Sequence, residues 1–414
     1  MGERLNWMIS VDDHVVEPPA LWQERVPTKY RDQAPQVVRV DGTDYWAFED
    51  VRTPIPGTLV TAGQDRDRVT PLPVNYADMD PAVYDLKARL AAMDADGVLA
   101  SLCFPFFPRF AGQTFSEAKD RPFAYECLKI YNDWMIDEWC GEAPGRMIPL
   151  VIIPLYDPML AAKEIERCAA KGARAVSFSE NPSKLGYPSI HDIDGYWRPV
   201  LQAANDTEMP LCIHFGSSSS MPTTSPDAPL LVWAALAPVN LMFALTDWLF
   251  SGLLQDYPNL KICLSEGGIG WIPYMLERCD WEARDMRWAS KGDFKYDMAA
   301  QGSIPELRPE FARKFDVPPS EIFRQHIYGC FIDDSFGSRH IEEVGVDNVM
   351  IETDFPHGDT SFPNSIANAH ERLAGKSDEV KLKVMQDNAK RVFRFEPAPL
   401  PPTDSSGAGR LGQK

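Results

Sequence analysis

The stretch Met8-Ile9-Ser10-Val11-Asp12-Asp13-His14-Val15-Val16-Glu17-Pro18 decides how the rest of the chain is read. A short apolar run of β type ends in Asp-x-His, and a glutamate follows three residues later. Side chains two apart in a strand share a face, so Asp12 and His14 point the same way at the strand's end. A carboxylate and an imidazole so placed can bind one metal ion, although a loop whose Asp caps a helix while His14 packs would carry the same letters. What separates the two readings is whether further ligands fall at other strand ends.

Outward from this segment one pattern recurs: an apolar strand, a polar turn, then an amphipathic helix. It predicts strands at 8–11, 98–104, 147–154, 173–178, 210–215, 260–264, 326–331 and 348–352. Helices are predicted near 83–95, 122–139, 158–171, 196–204, 230–254, after Gly270, and at 365–373 and 377–393. Eight buried strands, each followed by a helix, predict an α/β chain folded as a (β/α)8 TIM-like barrel, with a doubly wound open sheet as the competing topology. Residues 20–80 break the rhythm: Val37–Val40, the turn Asp41-Gly42 and Tyr45–Phe48 read as a hairpin, then a Pro-rich excursion follows. The expected organisation is one barrel domain over 1–394, with 20–80 as a flap, 288–322 as a lid insertion and 395–414 as a disordered tail.

In such a barrel the reactive groups sit at the C-terminal ends of the strands. Asp12 and His14 end strand one, His214 ends strand five, Glu266 follows strand six and Asp354 follows strand eight. Taken singly, His214 reads as a hydrogen-bonded core histidine, Glu266 as an arginine partner and Asp354 as a helix cap. Taken together they are costly unless paired or metal-bound. His357, three residues past Asp354, is within reach of the same site.

The net charge of −19 argues against a nucleic-acid partner and fits an acidic membrane surface poorly. No signal-type apolar core opens the chain and no apolar run of membrane-spanning length was found, so a cytoplasmic location is expected. Eight cysteines lack CxxC spacing and sit in apolar runs, as buried free thiols do. A metal here therefore has only nitrogen and oxygen donors, which favours Zn, Mn or Fe.

The chain resembles the amidohydrolase-related proteins of the amidohydrolase superfamily, which include metal-dependent decarboxylases. The matching pieces are Asp12-x-His14-x-x-Glu17-Pro18, Phe104-Pro105 with Phe107-Pro108-Arg109-Phe110, His214, Glu266-Gly267-Gly268 and Glu352-Thr353-Asp354-Phe355-Pro356-His357. The resemblance spans roughly 8–394 and implies a barrel with a metal bound from strands one, five and eight. Two departures stand out. The usual His-x-His of strand one is missing, since position 16 is Val16 and Asp12-x-His14 resembles instead the acidic-x-His form of the decarboxylase branch, and Glu266 stands where the family often has histidine.

Asp12, His14, His214 and Asp354 form a single-metal set, with Asp354, Glu266 and His357 as candidate proton-transfer groups. The expected reaction is hydrolysis or decarboxylation of a small cyclic or aromatic organic acid. Arg109 is the candidate for its carboxylate, with Phe107 and Trp271 lining the pocket. Adding Glu17 and Glu266 gives two histidines and four carboxylates, a donor set like that of non-haem diiron monooxygenases, which is the second reading. A catalytically silent binding barrel is the third. A homodimer is compatible with the apolar helices.

Overall fold

The computed structural model describes residues 2–400 except 63, 287–292, 296–305 and 309–315, and gives only the backbone of 293–295 and 306–308. Its centre is a parallel sheet: β1 (Met8–Val15), β2 (Val98–Pro105), β3 (Met147–Ile148 and Leu150–Val151), β4 (Ala175–Ser179), β5 (Leu211–His214), β6 (Ile262–Ser265), β7 (Ile327–Phe331) and β8 (Val349–Ile351). The strands pair in the order β3, β2, β1, β8, β7, β6, β5, β4, β3. The order begins and ends on β3 because its first half pairs with β2 and its second half with β4. Pro149, which has no N–H to donate, separates the halves, while its carbonyl accepts from Ala175 of the neighbouring strand and from Arg174 just before it. This shared strand joins the two edges into a ring, the expected (β/α)8 barrel.

Every residue of β1, β2, β4, β5, β6, β7 and β8 is buried, as a sheet covered on both faces requires. The helices meet their predicted places closely. Pro158–Lys171 starts with the Asp157 carboxylate accepting from the Met159 and Leu160 amides and ends at the left-handed Gly172.

Several expectations need correction. The hairpin is part of a three-stranded antiparallel sheet, Gln36–Val40, Thr43–Phe48 and Val51–Pro54, turning at Asp41 and Gly42, both with positive φ. The predicted helix 230–254 is three pieces, Leu230–Leu236, Val239–Phe250 and Leu253–Asp256, because Pro238 and Gly252 interrupt it. Contrary to expectation, Leu230–Phe250 is long and apolar enough to cross a membrane by length and composition. In the fold, Leu241, Leu245, Trp248 and Leu249 of this stretch are buried against the barrel. Most of the expected lid 288–322 lies outside the described residues; its end, Pro319–His326, is an ordinary helix leading into β7. The greater part of the expected tail, 401–414, also lies outside them.

Candidate metal centre at the barrel mouth

The two acids of Asp12-Asp13 diverge, as alternation demands. Asp12 joins His14 at the mouth. Asp13 faces the other way and becomes a tie between strands: its carboxylate accepts from Ser10 Oγ (2.9 Å), Thr353 Oγ1 (2.5 Å), the Phe355 amide (3.0 Å) and Ser101 Oγ. Two backbone bonds complete the clasp between β1 and the segment after β8, from the Asp354 amide to the Asp12 carbonyl (3.0 Å) and from the His14 amide to the Phe355 carbonyl (2.7 Å). Buried Arg89 donates to the His14 carbonyl (2.6 Å) and lies 4.3 Å from the Phe355 ring. Asp354 is thereby held at φ +53°, and Glu266 sits at +60°, a region β-carbon-bearing residues enter only when their surroundings insist. For Glu266 the insistence comes from Asp334 Oδ2, which accepts from the Ile269 (2.8 Å) and Gly270 (2.7 Å) amides just beyond it.

The functional atoms converge. His14 Nε2 lies 2.9 Å from Asp354 Oδ1 and 3.5 Å from Asp12 Oδ1. His214 Nε2 lies 3.7 Å from Asp12 Oδ2 and 2.8 Å from Glu266 Oε2. His357 Nδ1 is 3.1 Å from Asp354 Oδ1, and its ring stacks on His14 at 3.6 Å. Two groups of possible ligand atoms lie mutually within 4.8 Å: Asp12, His14 and His214, and His14, Glu266, Asp354 and His357.

What distinguishes this cluster is what it lacks. Both oxygens of Asp12, both of Asp354, and Nε2 of His14 and His214 are fully buried yet meet no hydrogen-bond partner. Such atoms cost several kcal/mol in total unless something satisfies them. The His214 Nδ1 contact with the Phe215 carbonyl (2.6 Å) calls for a proton on Nδ1, which leaves the Nε2 lone pair facing the cluster. Two carboxylates and two imidazole lone pairs, in two groups of ligand atoms that share His14, fit a divalent cation. Burial raises Asp12, Asp354 and Glu266 well above ordinary carboxylates, with neighbouring acids adding to it, and pushes His214 down to about 3 and His357 to about 4. Neutral imidazoles are the form that ligates metal. Asp359 adds charge at the rim, raising both Glu266 and Asp354.

Three predicted site residues fall elsewhere. Glu17 is fully buried, but its carboxylate accepts from the Phe106 (3.1 Å) and Phe107 (2.9 Å) amides, so it shapes the loop after β2 and stands apart from the cluster. Burial raises it to about 8. Phe107 turns into the core, 4.9 Å from Trp46 and 5.2 Å from Trp22, because the neighbouring positions Phe106 and Phe110 take the mouth. Trp271 opens the helix Ile272–Asp285, its indole N–H donating to the Gly267 carbonyl (2.8 Å), and does not line the cavity. With Glu17 gone, the two-histidine, four-carboxylate set for two irons does not assemble.

Arg109 does line a cavity of about 420 Å³ that opens on His14 and His357. Its guanidinium donates to Ser219 Oγ (3.1 Å) and pairs with Glu117. A larger hollow of about 530 Å³, between 189–201 and 251–256, contains none of the ligand residues. The sequence reading missed Glu180, whose buried carboxylate accepts from Ser217, Ser218 (2.6 Å) and Asn240 (3.1 Å) and so holds the loop after His214. The run Ser217-Ser218-Ser219-Ser220 was the available signal, since short hydroxyl side chains clustered after a strand are natural carboxylate donors.

A closed parallel barrel with a buried His/Asp cluster at its C-terminal mouth defines a metal-dependent (β/α)8 enzyme. The amidohydrolase family profile matches residues 22–395, and the chain belongs to that family. Its curated relatives include the gamma-resorcylate decarboxylase of Rhizobium sp. (strain MTP-10005), 26% identical over 322 residues, 75% of this chain and 87% of that one. Among solved structures it is similar to an amidohydrolase from Mycobacterium avium subsp. paratuberculosis K-10 (TM-score 0.67, 20% identity, 94% of this chain and 97% of the other). It is also similar to the 5-carboxyvanillate decarboxylase of Novosphingobium aromaticivorans DSM 12444, solved with manganese and 3-methoxy-4-hydroxy-5-nitrobenzoic acid (TM-score 0.61, 17% identity, 95% and 99%). The gamma-resorcylate and 5-carboxyvanillate enzymes are decarboxylases, and none of the three gives support to diiron oxygen chemistry.

Proposed function

We propose that the chain is a metal-dependent decarboxylase of a hydroxylated aromatic carboxylic acid. The observation that carries this reading is the set of six orphaned donor atoms on Asp12, His14, His214 and Asp354, beside an apolar cavity with one cationic side chain, Arg109. Those four residues would hold a divalent ion such as manganese, which supplies positive charge for a carboxylate and an adjacent ring hydroxyl. A complete donor set of this kind also speaks against a silent binding barrel.

The chain's own groups then have defined tasks. Phe106 and Phe110 flank the ring, and Arg109 draws the organic anion in. Glu266 Oε2 lies 2.8 Å from His214 Nε2, and burial raises its carboxyl well above the ordinary range, which favours the protonated acid. Glu266 is therefore placed to protonate the ring carbon as the carbon–carboxylate bond breaks: the bonding pair stays on the ring carbon, the new C–H bond takes the proton, and CO2 leaves. His357, which lines the cavity and touches Asp354, connects the buried acids to solvent. The glutamate in place of the family's frequent histidine then preserves a proton donor with different charge.

The test is CO2 release from 2,6-dihydroxybenzoate and related hydroxybenzoates by manganese-loaded protein. Glu266→Gln should abolish release, by at least a hundredfold, with one ion per chain retained. Undiminished turnover in that variant would remove Glu266 from the chemistry, and no release from any hydroxybenzoate would end the reading.

A further inference from the structure

The cavity has room for more than a one-ring acid. A cavity of about 150 Å³ already accommodates benzene, and the space between the described residues here is about 420 Å³. His14 and His357 line it where the reacting carboxylate belongs. Thr53, Pro54, Pro56 and Leu59 line it as well, and none of them comes from the barrel. They belong to the edge strand Val51–Pro54, the turn Gly57–Leu59 and the link between them in the excursion.

This wall is fixed to the catalytic loop. The Thr61 hydroxyl donates to the Pro356 (3.0 Å) and His357 (2.7 Å) carbonyls, and Arg66 donates to the Gly358 (2.8 Å) and Thr360 (2.9 Å) carbonyls. Behind it the Gly57 amide bonds the Leu72 carbonyl (2.9 Å), and a β-carbon at Gly57 would meet the Thr70 carbonyl oxygen at 2.5 Å. A wall pinned on both sides cannot collapse onto a small ligand, so the space left beside it would hold water against proline and leucine. That is an unfavourable surface to leave wet.

We propose that the substrate is an extended aromatic acid: a hydroxylated carboxylate ring at the metal end, carrying a second apolar group, a further ring or branched chain, that packs against Pro54, Pro56 and Leu59. This rests on the decarboxylase reading for the reacting end only. Leu59 and Thr53 are then specificity positions, and the excursion is the substrate-selecting element of the enzyme.

The experiment compares 2-hydroxybenzoate with 4-phenyl-2-hydroxybenzoate on manganese-loaded protein, by calorimetric titration and by CO2 release. The extended acid should bind at least tenfold more tightly, as burial of one more ring implies. Leu59→Trp, which fills the space against the excursion, should cancel or reverse that preference; Thr53→Phe fills the same space and serves if the first variant does not fold. Equal or weaker binding of the extended acid, or a preference indifferent to both substitutions, overturns the proposal whether or not either acid is decarboxylated. Tighter, Leu59-dependent binding without CO2 release upholds it and removes the decarboxylase reading instead.

Discussion

Two fully buried acid clusters in this molecule look alike by burial and differ in every other respect. In the helical layer, Glu164 accepts from Asn132 (2.8 Å), from Arg167 at both oxygens (2.7 and 2.8 Å) and from Tyr125 (3.2 Å). At the barrel mouth, Asp12 and Asp354 have no hydrogen-bond donor at either oxygen. Both sites remove carboxylates from water, but only one replaces the lost hydration from within the chain. The difference teaches that a buried charge is not by itself a functional mark. The missing partner is, because a fold maintained at that cost is one completed by something outside the polypeptide.

The comparison can be broken most decisively at His214. His214→Ala should strip the ion, measured by elemental analysis, and lower CO2 release at least a hundredfold. The wild type should gain about 2.7 kcal/mol of stability at manganese a hundredfold above its Kd, and the variant should lose that gain while unfolding cooperatively. Retained metal stoichiometry would mean that the orphaned atoms are not ligands.

A smaller effect is expected in the helical layer. Arg167→Ala leaves Glu164 with fewer donors; breaking a buried pair costs about 3–5 kcal/mol, and partial exposure of the arginine lowers the expected loss to about 2 kcal/mol. Denaturant unfolding measures it, and metal content should not move. A change in metal content would show that the two regions are coupled.

A third test concerns Asp96, a buried acid of intermediate kind. One oxygen accepts from the Ser365 amide (2.8 Å) and the other has no partner. Burial raises its pKa to about 7 from an ordinary value of 3.8. The folded chain therefore keeps this proton where the unfolded chain has lost it. Stability from this group is present at low pH, falls as pH rises from about 4 and levels off above about 7. Asp96→Asn removes that fall, so its advantage in Tm over the wild type should grow between pH 4 and pH 7. A difference that stayed flat with pH would show the carboxyl to be solvated.

Much of the barrel was legible because parallel strands buried on both faces are continuous apolar runs, and each ends where the chain turns polar. Asp12, His14, His214, Glu266 and Asp354 were legible for the same reason: barrel geometry carries strand ends to one rim whatever their separation in sequence. Glu17 was misread because its position past the strand's end leaves its direction to the local fold, and it reaches the Phe106 and Phe107 amides. Phe107 and Phe106 are interchangeable as letters, but only one faces the mouth. Glu180 and Asp13 were missed because their role is to hold loops, and loop partners come from segments distant in sequence.

By itself the sequence determined the alternation of strand and helix, the rim on which the ligands gather and the absence of thiolate spacing, all of which follow from local periodicity and residue type. Only the tertiary structure decided which acids are satisfied and which are left open, and that the excursion before residue 80 lines the cavity. Hydrogen-bond partnership and enclosure are relations between segments hundreds of residues apart, and no local pattern encodes them.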